Sequence, residues 1–296
     1  MADYSSVFAD TFAGYASYLW HEVSTPHWGN YFYWLIGISS LVYALELLAP
    51  WRVDQPRIRK DFWLDGFYMF FNYFGFSLIG YAAASQVVVV ALHDLLASVG
   101  IENLAVAEVS SWPMWLHVGV LFVVRDFVHW NVHRLLHRVP VLWEFHKVHH
   151  SVEQMGFAAH LRFHWMETVT YNALTYLPLA LLGFGLVEFF WVNLFTTLIG
   201  HLNHANLVLP LGPLRYVLNN PQMHIWHHVW DLPEGRRYGM NYGVTLSCWD
   251  YLFGTACIPG DGRDIRLGFP QLQHFPKTFM RQTLHDFVGQ ARRGAS

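Results

Sequence analysis

All 18 lysines and arginines of this 296-residue chain fall in three blocks, residues 52–60, 125–162 and 215 to the end, and the stretches 1–51, 61–124 and 163–214 contain none. Soluble domains spread basic residues over their surface and carry about 25% charged residues. Here 13% are charged, 54% are hydrophobic and 18% are aromatic, with a mean hydropathy of +0.23. The long apolar runs lie in the uncharged stretches, and a helix needs roughly 20 apolar residues to cross a bilayer. The pattern predicts an all-α fold, a polytopic membrane bundle with spans near 31–49, 63–83 and 113–131. A tight hairpin of shorter helices, about 168–182 and 186–200, pivots around Gly183 and Gly185. Residues 84–97 are too short for a full span and are expected to lie in the interface or to re-enter. Because Lys and Arg accumulate on the cytoplasmic side of membrane proteins, all three basic blocks are expected in the cytoplasm, with residues 1–30 and the 98–112 loop outside. The tail after residue 205, rich in Pro, Gly, Arg and Asp, reads as a cytoplasmic cap.

That cap side carries the chemistry. Thirteen of the 19 histidines lie between His129 and His228. Eight form three clusters: His133 and His137 (H-x3-H), His146, His149 and His150 (H-x2-H-H), and His224, His227 and His228 (again H-x2-H-H). On a helix, positions i, i+3 and i+4 share a face, so each cluster presents its rings together. Imidazole suits iron, zinc, copper and nickel, and eight nitrogens exceed what one ion uses, which implies two metals. Histidines that merely pack or face solvent rarely recur at ligand spacing. His204, in GHLNHAN, is the best additional ligand. His201, His160, His164, Asp126 and Glu167 are candidates either for ligation or for supporting a ligand. Asp126 lies two helical turns before His133 and is weighed as the acceptor for its far nitrogen, against pairing with Arg125 or Arg134. His160 and His164 are equally read as buried histidines, His164 bonded to Glu167. His129 is given a packing or supporting role. His21, His27, His93, His117, His274 and His285 have no partner at ligand spacing, and Glu144 and Glu153 read as solvated surface.

The net charge of −3 offers no field for nucleic acid, and Cys248 and Cys257 make neither a disulfide framework nor a metal-binding pair. No positive segment precedes residue 52, so no signal peptide is expected and the spans themselves are expected to direct insertion. An all-imidazole donor set leaves the charge of two divalent ions uncompensated, which suits anionic oxygen species. Zinc hydrolases usually keep a carboxylate beside the metal-bound water, and no H-E-x-x-H occurs here. Oxygen activation by iron on a lipid substrate fits better than the two alternatives, a zinc-dependent membrane lipid hydrolase and a non-enzymatic metal or haem carrier. No GxGxxG, cysteine cluster or H-P-G-G is present, so electrons are expected from a separate protein, docking near Arg236, Arg237, Arg263 and Arg266.

From Asp126 onward the chain resembles the sterol desaturase and fatty acid hydroxylase superfamily of membrane di-iron enzymes. The resemblance rests on DFVHWNVHRLLH (126–137), LWEFHKVHHS (142–151), RFHWME (162–167), HAN (204–206), MHIWHH (223–228), NYG (241–243) and WDYLFGT (249–255). It implies a helical membrane bundle with a cytosolic di-metal centre of two iron ions, zinc being able to replace them in purified protein. Dioxygen is then the co-substrate, and a ferredoxin or cytochrome b5 with its reductase the electron donor. It carries ligand roles onto the eight clustered histidines and onto His204. The H-x3-H box is similar to the sterol-oxidising branch, and the chain departs from the family pattern at Trp165 and His129. Residues 1–125 are expected to form an N-terminal membrane-spanning region. Residues 126–296 are expected to form the catalytic domain, including the membrane hairpin at about 168–200.

Overall fold

The computed structural model describes residues 3–100, 112–181 and 186–285, and among these it is helical with no β-strand. Asp3 caps α1 (Tyr4–Ser24), accepting from the Ser5 N–H, and Asn30 caps α2 (Tyr31–Leu48) by accepting from that of Tyr33; both are side chains suited to that role. α3 (Phe62–Phe70) runs through a π-helical stretch (Phe71–Tyr81) into α4 (Ala82–Ser98), so residues 84–97 continue a long rod against which α1 packs. α5 (Met114–Arg138) extends two turns past the expected span end at residue 131 and thereby carries His133 and His137.

Pro140 stops α5, since the residue before a proline avoids the helical conformation, and serves as the first residue of α6 (Pro140–His150). The abrupt turn folds α6 back onto α5. α7 (Trp165–Leu181) and α8 (Leu186–His204) both pack against α5; the expected pivot at Gly183 and Gly185 lies outside the described residues, as does most of the 98–112 loop. The rest is a cap of short pieces, including α9 (Pro221–His227), α10 (Cys248–Leu252) and α11 (Phe279–Thr283). Isolated antiparallel bridges tie it down: Pro50 to Leu207, Leu218 to Leu246 and Val229 to Leu267.

The buried core follows this layout. Trp51, Val152, Met155, Ala159, Ile225 and Leu267 form one cluster beside α9, while Tyr68, Val148, Phe269, Leu272 and Phe275 clamp the cap tail onto α3 and α6. The Glu46 carboxylate accepts from the N–H groups of Phe157 (2.9 Å) and Asn206 (2.6 Å), joining α2, the turn after α6 and the end of α8. The outer faces are apolar: Leu41 of α2, Trp63 of α3 and Trp115 of α5 are 56%, 73% and 74% exposed. By length and composition, one helix among the described residues, Tyr31–Leu48, is long and apolar enough to cross a membrane, and Ala84–Ser98 is apolar but shorter.

Candidate metal centre

Four helices bring nine histidines together. α5 gives His133 and His137, α6 gives His146, His149 and His150, α8 ends on His204, and α9 gives His224 and His227 with His228 at its cap. Their nitrogens form two groups, His133, His137, His146, His150 and His227 in one and His149, His204, His224 and His228 in the other, with the donor atoms of each group within 4.8 Å of one another. Each H-x2-H-H box is thus split rather than aimed at one point. His146 with His150, and His224 with His228, stand four residues apart and stay together. The box member between them, His149 or His227, is rotated about 60° from the first and serves the other group.

Burial and hydrogen bonding prepare these rings for a cation. Desolvation pushes the imidazole pKa of His133 down to about 4 and of His204 to about 3, and it drives the other seven well below the ordinary histidine value. All are therefore neutral at pH 7, the form that ligates. His133 Nδ1–H donates to the Tyr242 carbonyl at 2.6 Å, His227 Nδ1–H to Met240 at 2.8 Å and His204 Nδ1–H to Gly200 at 2.8 Å. A carbonyl only accepts, so the protons sit on Nδ1 and the Nε2 lone pairs face inward. His146 Nδ1 lies 3.0 Å from Glu167 Oε1 without hydrogen-bond geometry, and an acceptor so near favours the proton on Nδ1.

Two bare acceptors then confront one another, His133 Nε2 and His146 Nε2 at 3.1 Å. His137 Nε2 is buried with no hydrogen-bond partner. Facing lone pairs are repulsive unless a cation sits among them. Nitrogens about 2.0–2.1 Å from one ion stand about 2.8–3.4 Å apart across an octahedral or tetrahedral edge. The Nε2 pairs His150–His227, His149–His204, His204–His224 and His224–His228 are separated by 3.1, 3.3, 3.0 and 3.2 Å. Both donor sets fit a metal ion.

The remaining candidates divide. Glu167 supports His146 rather than His164. Asp126 does not meet His133: it accepts from Trp249 Nε1 at 2.9 Å and from the Leu246 N–H at 3.3 Å. Seven residues along a helix amount to about 10.5 Å, beyond a carboxylate's reach. His164 uses both nitrogens elsewhere, donating from Nε2 to the Thr283 carbonyl and accepting at Nδ1 from the Met166 N–H, which fastens α11 to the start of α7. His160 and His201 join neither group. Their Nδ1 atoms meet at 3.0 Å, and His201 Nε2 meets Ser39 Oγ at 3.0 Å. The His160 ring lies over Gly200, where any Cβ would run into it. Glu144, read as solvated surface, and His285, read as having no partner at ligand spacing, pair with each other at 3.3 Å, and Lys147 also reaches Glu144 at 2.6 Å.

Sequence reasoning missed the carbonyls of Met240 and Tyr242, although NYG was singled out, and it missed a buried ion cluster in which Asp65 takes Arg59 on one oxygen and Arg162 on the other. Removing the Glu167 carboxylate is expected to weaken metal retention by about 10–100-fold, more in Glu167→Ala than in Glu167→Gln, as read by competition with a chelator.

Comparison with known proteins agrees with this geometry. The fatty acid hydroxylase family model matches residues 118–255, a segment containing all nine histidines. The chain is 40% identical over 146 residues to ornithine lipid hydroxylase OlsE of Rhizobium tropici, covering 49% of this chain and 43% of that protein. It is 33% identical over 147 residues to alkylglycerol monooxygenase of Homo sapiens, covering 45% of this chain and 29% of that one. It is also 25% identical over 228 residues to very-long-chain aldehyde decarbonylase GL1-10 of Oryza sativa subsp. japonica, covering 72% and 70%. Against the hydroxylase and the monooxygenase, the match spans less than half of the relative's length. No solved structure matches.

Proposed function

We propose, for a chain that belongs to the sterol desaturase and fatty acid hydroxylase superfamily, that its two histidine groups hold a pair of iron ions and that it oxidises a membrane lipid with dioxygen and electrons from a separate protein. The observation that carries this reading is the donor set, nine neutral imidazoles in two adjacent groups with no carboxylate in either. Iron in such a site supplies the oxidising power to break an unactivated C–H bond, which acid and base side chains lack. The protein's residues hold the ligands in one tautomer through the carbonyls of Met240, Tyr242 and Gly200 and the Glu167 carboxylate, and they keep the centre buried. A zinc hydrolase would need a general base beside the metal-bound water; among the described residues, the carboxylate that touches a ligand, Glu167, sits behind His146.

Relatives named for hydroxylating ornithine lipid and for oxygenating alkylglycerol favour oxygen insertion into a polar lipid with an aliphatic chain over desaturation of a sterol. The exposed apolar helices favour a multi-pass membrane bundle, and the three basic blocks favour the metal centre on the cytoplasmic face. Cysteines introduced at Asn103, outside the described residues, and at Gly235 are then expected to label from opposite sides; labelling from one side alone would contradict the topology.

Arg237, Arg263 and Arg266 are exposed on the cap, where they offer positive charge to an acidic ferredoxin or cytochrome b5, while Arg236 is tied to the carbonyls of Gly254 and Ala256. Purified protein with oxygen and lipid alone is expected not to turn over repeatedly, and to begin when a donor and reductase are added, at a rate that falls with salt. Sustained turnover without a reductant would point to hydrolysis instead.

A further inference from the structure

The motifs NYG and WDYLFGT form one device, and its direct hydrogen bonds to histidine rings go to one of the two groups. The Asp250 carboxylate is fully buried. Its Oδ1 accepts from Tyr242 N–H (2.9 Å), Trp130 Nε1–H (3.0 Å) and the Thr255 hydroxyl (2.6 Å), and its Oδ2 accepts from Gly243 N–H (2.7 Å). Gly243 comes so close that a Cβ there would crowd Asp250 Oδ2 and the Leu246 carbonyl. Asn241 holds the other side of the loop in a left-handed conformation (φ 55°). Its amide donates to the carbonyls of Met223 (3.0 Å) and Cys257 (2.7 Å) and accepts from Cys257 N–H (2.7 Å). The loop so fixed offers two carbonyls, Met240 to His227 and Tyr242 to His133, and both histidines belong to the five-histidine group.

The four-histidine group is supported differently. His204 donates to Gly200 within its own helix, and the loop reaches this group one residue removed from its rings: Asn219 donates to the Gly243 carbonyl and lies 3.5 Å from His224 Nδ1, Asn241 holds the carbonyl of Met223 beside His224, and Asn203 beside His204 donates to the Val244 carbonyl. We infer that Asp250 is a positioning residue chiefly for one metal of the pair: by fixing the Met240–Gly243 backbone it sets the tautomer and ring orientation of His133 and His227 directly, while the four-histidine position feels the loop only through intermediate side chains. This rests on the two-metal reading above.

Asparagine at position 250 keeps one acceptor oxygen and turns an NH2 toward the Gly243 N–H, so two donors meet and the loop must move. The full-length protein in detergent is loaded with cobalt(II) and challenged with a chelator, while release and the cobalt absorption bands are followed. Wild type is expected to hold two equivalents. Asp250→Asn should release one of them about tenfold faster or more, with altered bands for that equivalent, while the second leaves at a rate much closer to that of the wild type. Thr255→Val, which removes one donor to Asp250 and keeps the side-chain shape, should speed the same phase to a smaller degree and stands in if Asp250→Asn fails to fold. Both phases accelerating equally in Thr255→Val and in any folded Asp250→Asn would show a general structural role and overturn the inference, as would two unchanged phases. A wild type that holds fewer than two equivalents overturns the two-metal reading itself, and this inference with it.

Discussion

Alanine at His149 or His227 is expected to lower lipid oxidation by more than about a hundredfold, beyond the 10–100-fold cost of disturbing a residue that merely supports a ligand. The two variants should differ in metal content. His149 belongs to the group of four, so its loss leaves three imidazoles; His227 belongs to the group of five, and its loss leaves four. His149→Ala should therefore shed most of one metal equivalent, while His227→Ala retains more of its metal and is nonetheless inactive. Neither vacancy is easily filled, because the neighbouring rings are buried or half-buried on packed helices. His274→Ala, at an exposed site in neither group, should be nearly silent. Metal analysis beside activity checks all three, and full activity in either ligand variant would remove the metal assignment.

Asp65→Ala is expected to destabilise the fold by about 3–5 kcal/mol, the usual cost of stranding buried charge by removing its partner. Asp65 is fully buried, and both cations it holds, Arg59 and Arg162, are nearly so, at 6% and 1% exposure. Asp61 compensates only in part, touching Arg162 at 3.3 Å from a partly exposed position. The cluster ties the loop before α3 to the segment leading into α7, so the loss should appear as a lower unfolding midpoint in detergent and faster proteolysis. Glu153→Ala breaks a half-exposed pair with Lys60 and should cost less than about 1 kcal/mol.

The clustering of the histidines was readable in sequence because a shared helix face has a short period, and H-x3-H and H-x2-H-H announce it without long-range information. The division of each box between two groups was implicit in the same period: positions four apart share a face, and the position between them turns away. What holds those rings in place was not readable. A backbone carbonyl is present at every residue, so nothing in the letters of Met240 or Tyr242 says that it receives a histidine proton. Which carboxylate reaches which ring depends on the helix packing, and so Asp126, on the same α5 face as His133, went to Trp249 instead. Arg59 and Arg162 read as ordinary members of basic blocks because their shared partner, Asp65, stands 97 residues from Arg162. The apolar stretches located α2, α3 and α5. They gave no sign of α1, whose apolar residues alternate with small and polar ones, nor that residues 84–97 would join α3 in one rod.

The most direct test of the central claim supplies the purified, iron-loaded protein with a polar lipid extract, an electron donor and its reductase under isotopically labelled dioxygen, and follows the lipids by mass spectrometry. The account predicts a lipid that gains one oxygen atom carrying the label, formed only when donor and reductase are present and absent with His149→Ala. A product whose new oxygen comes from water, or a lipid cleaved without any reductant, would contradict it.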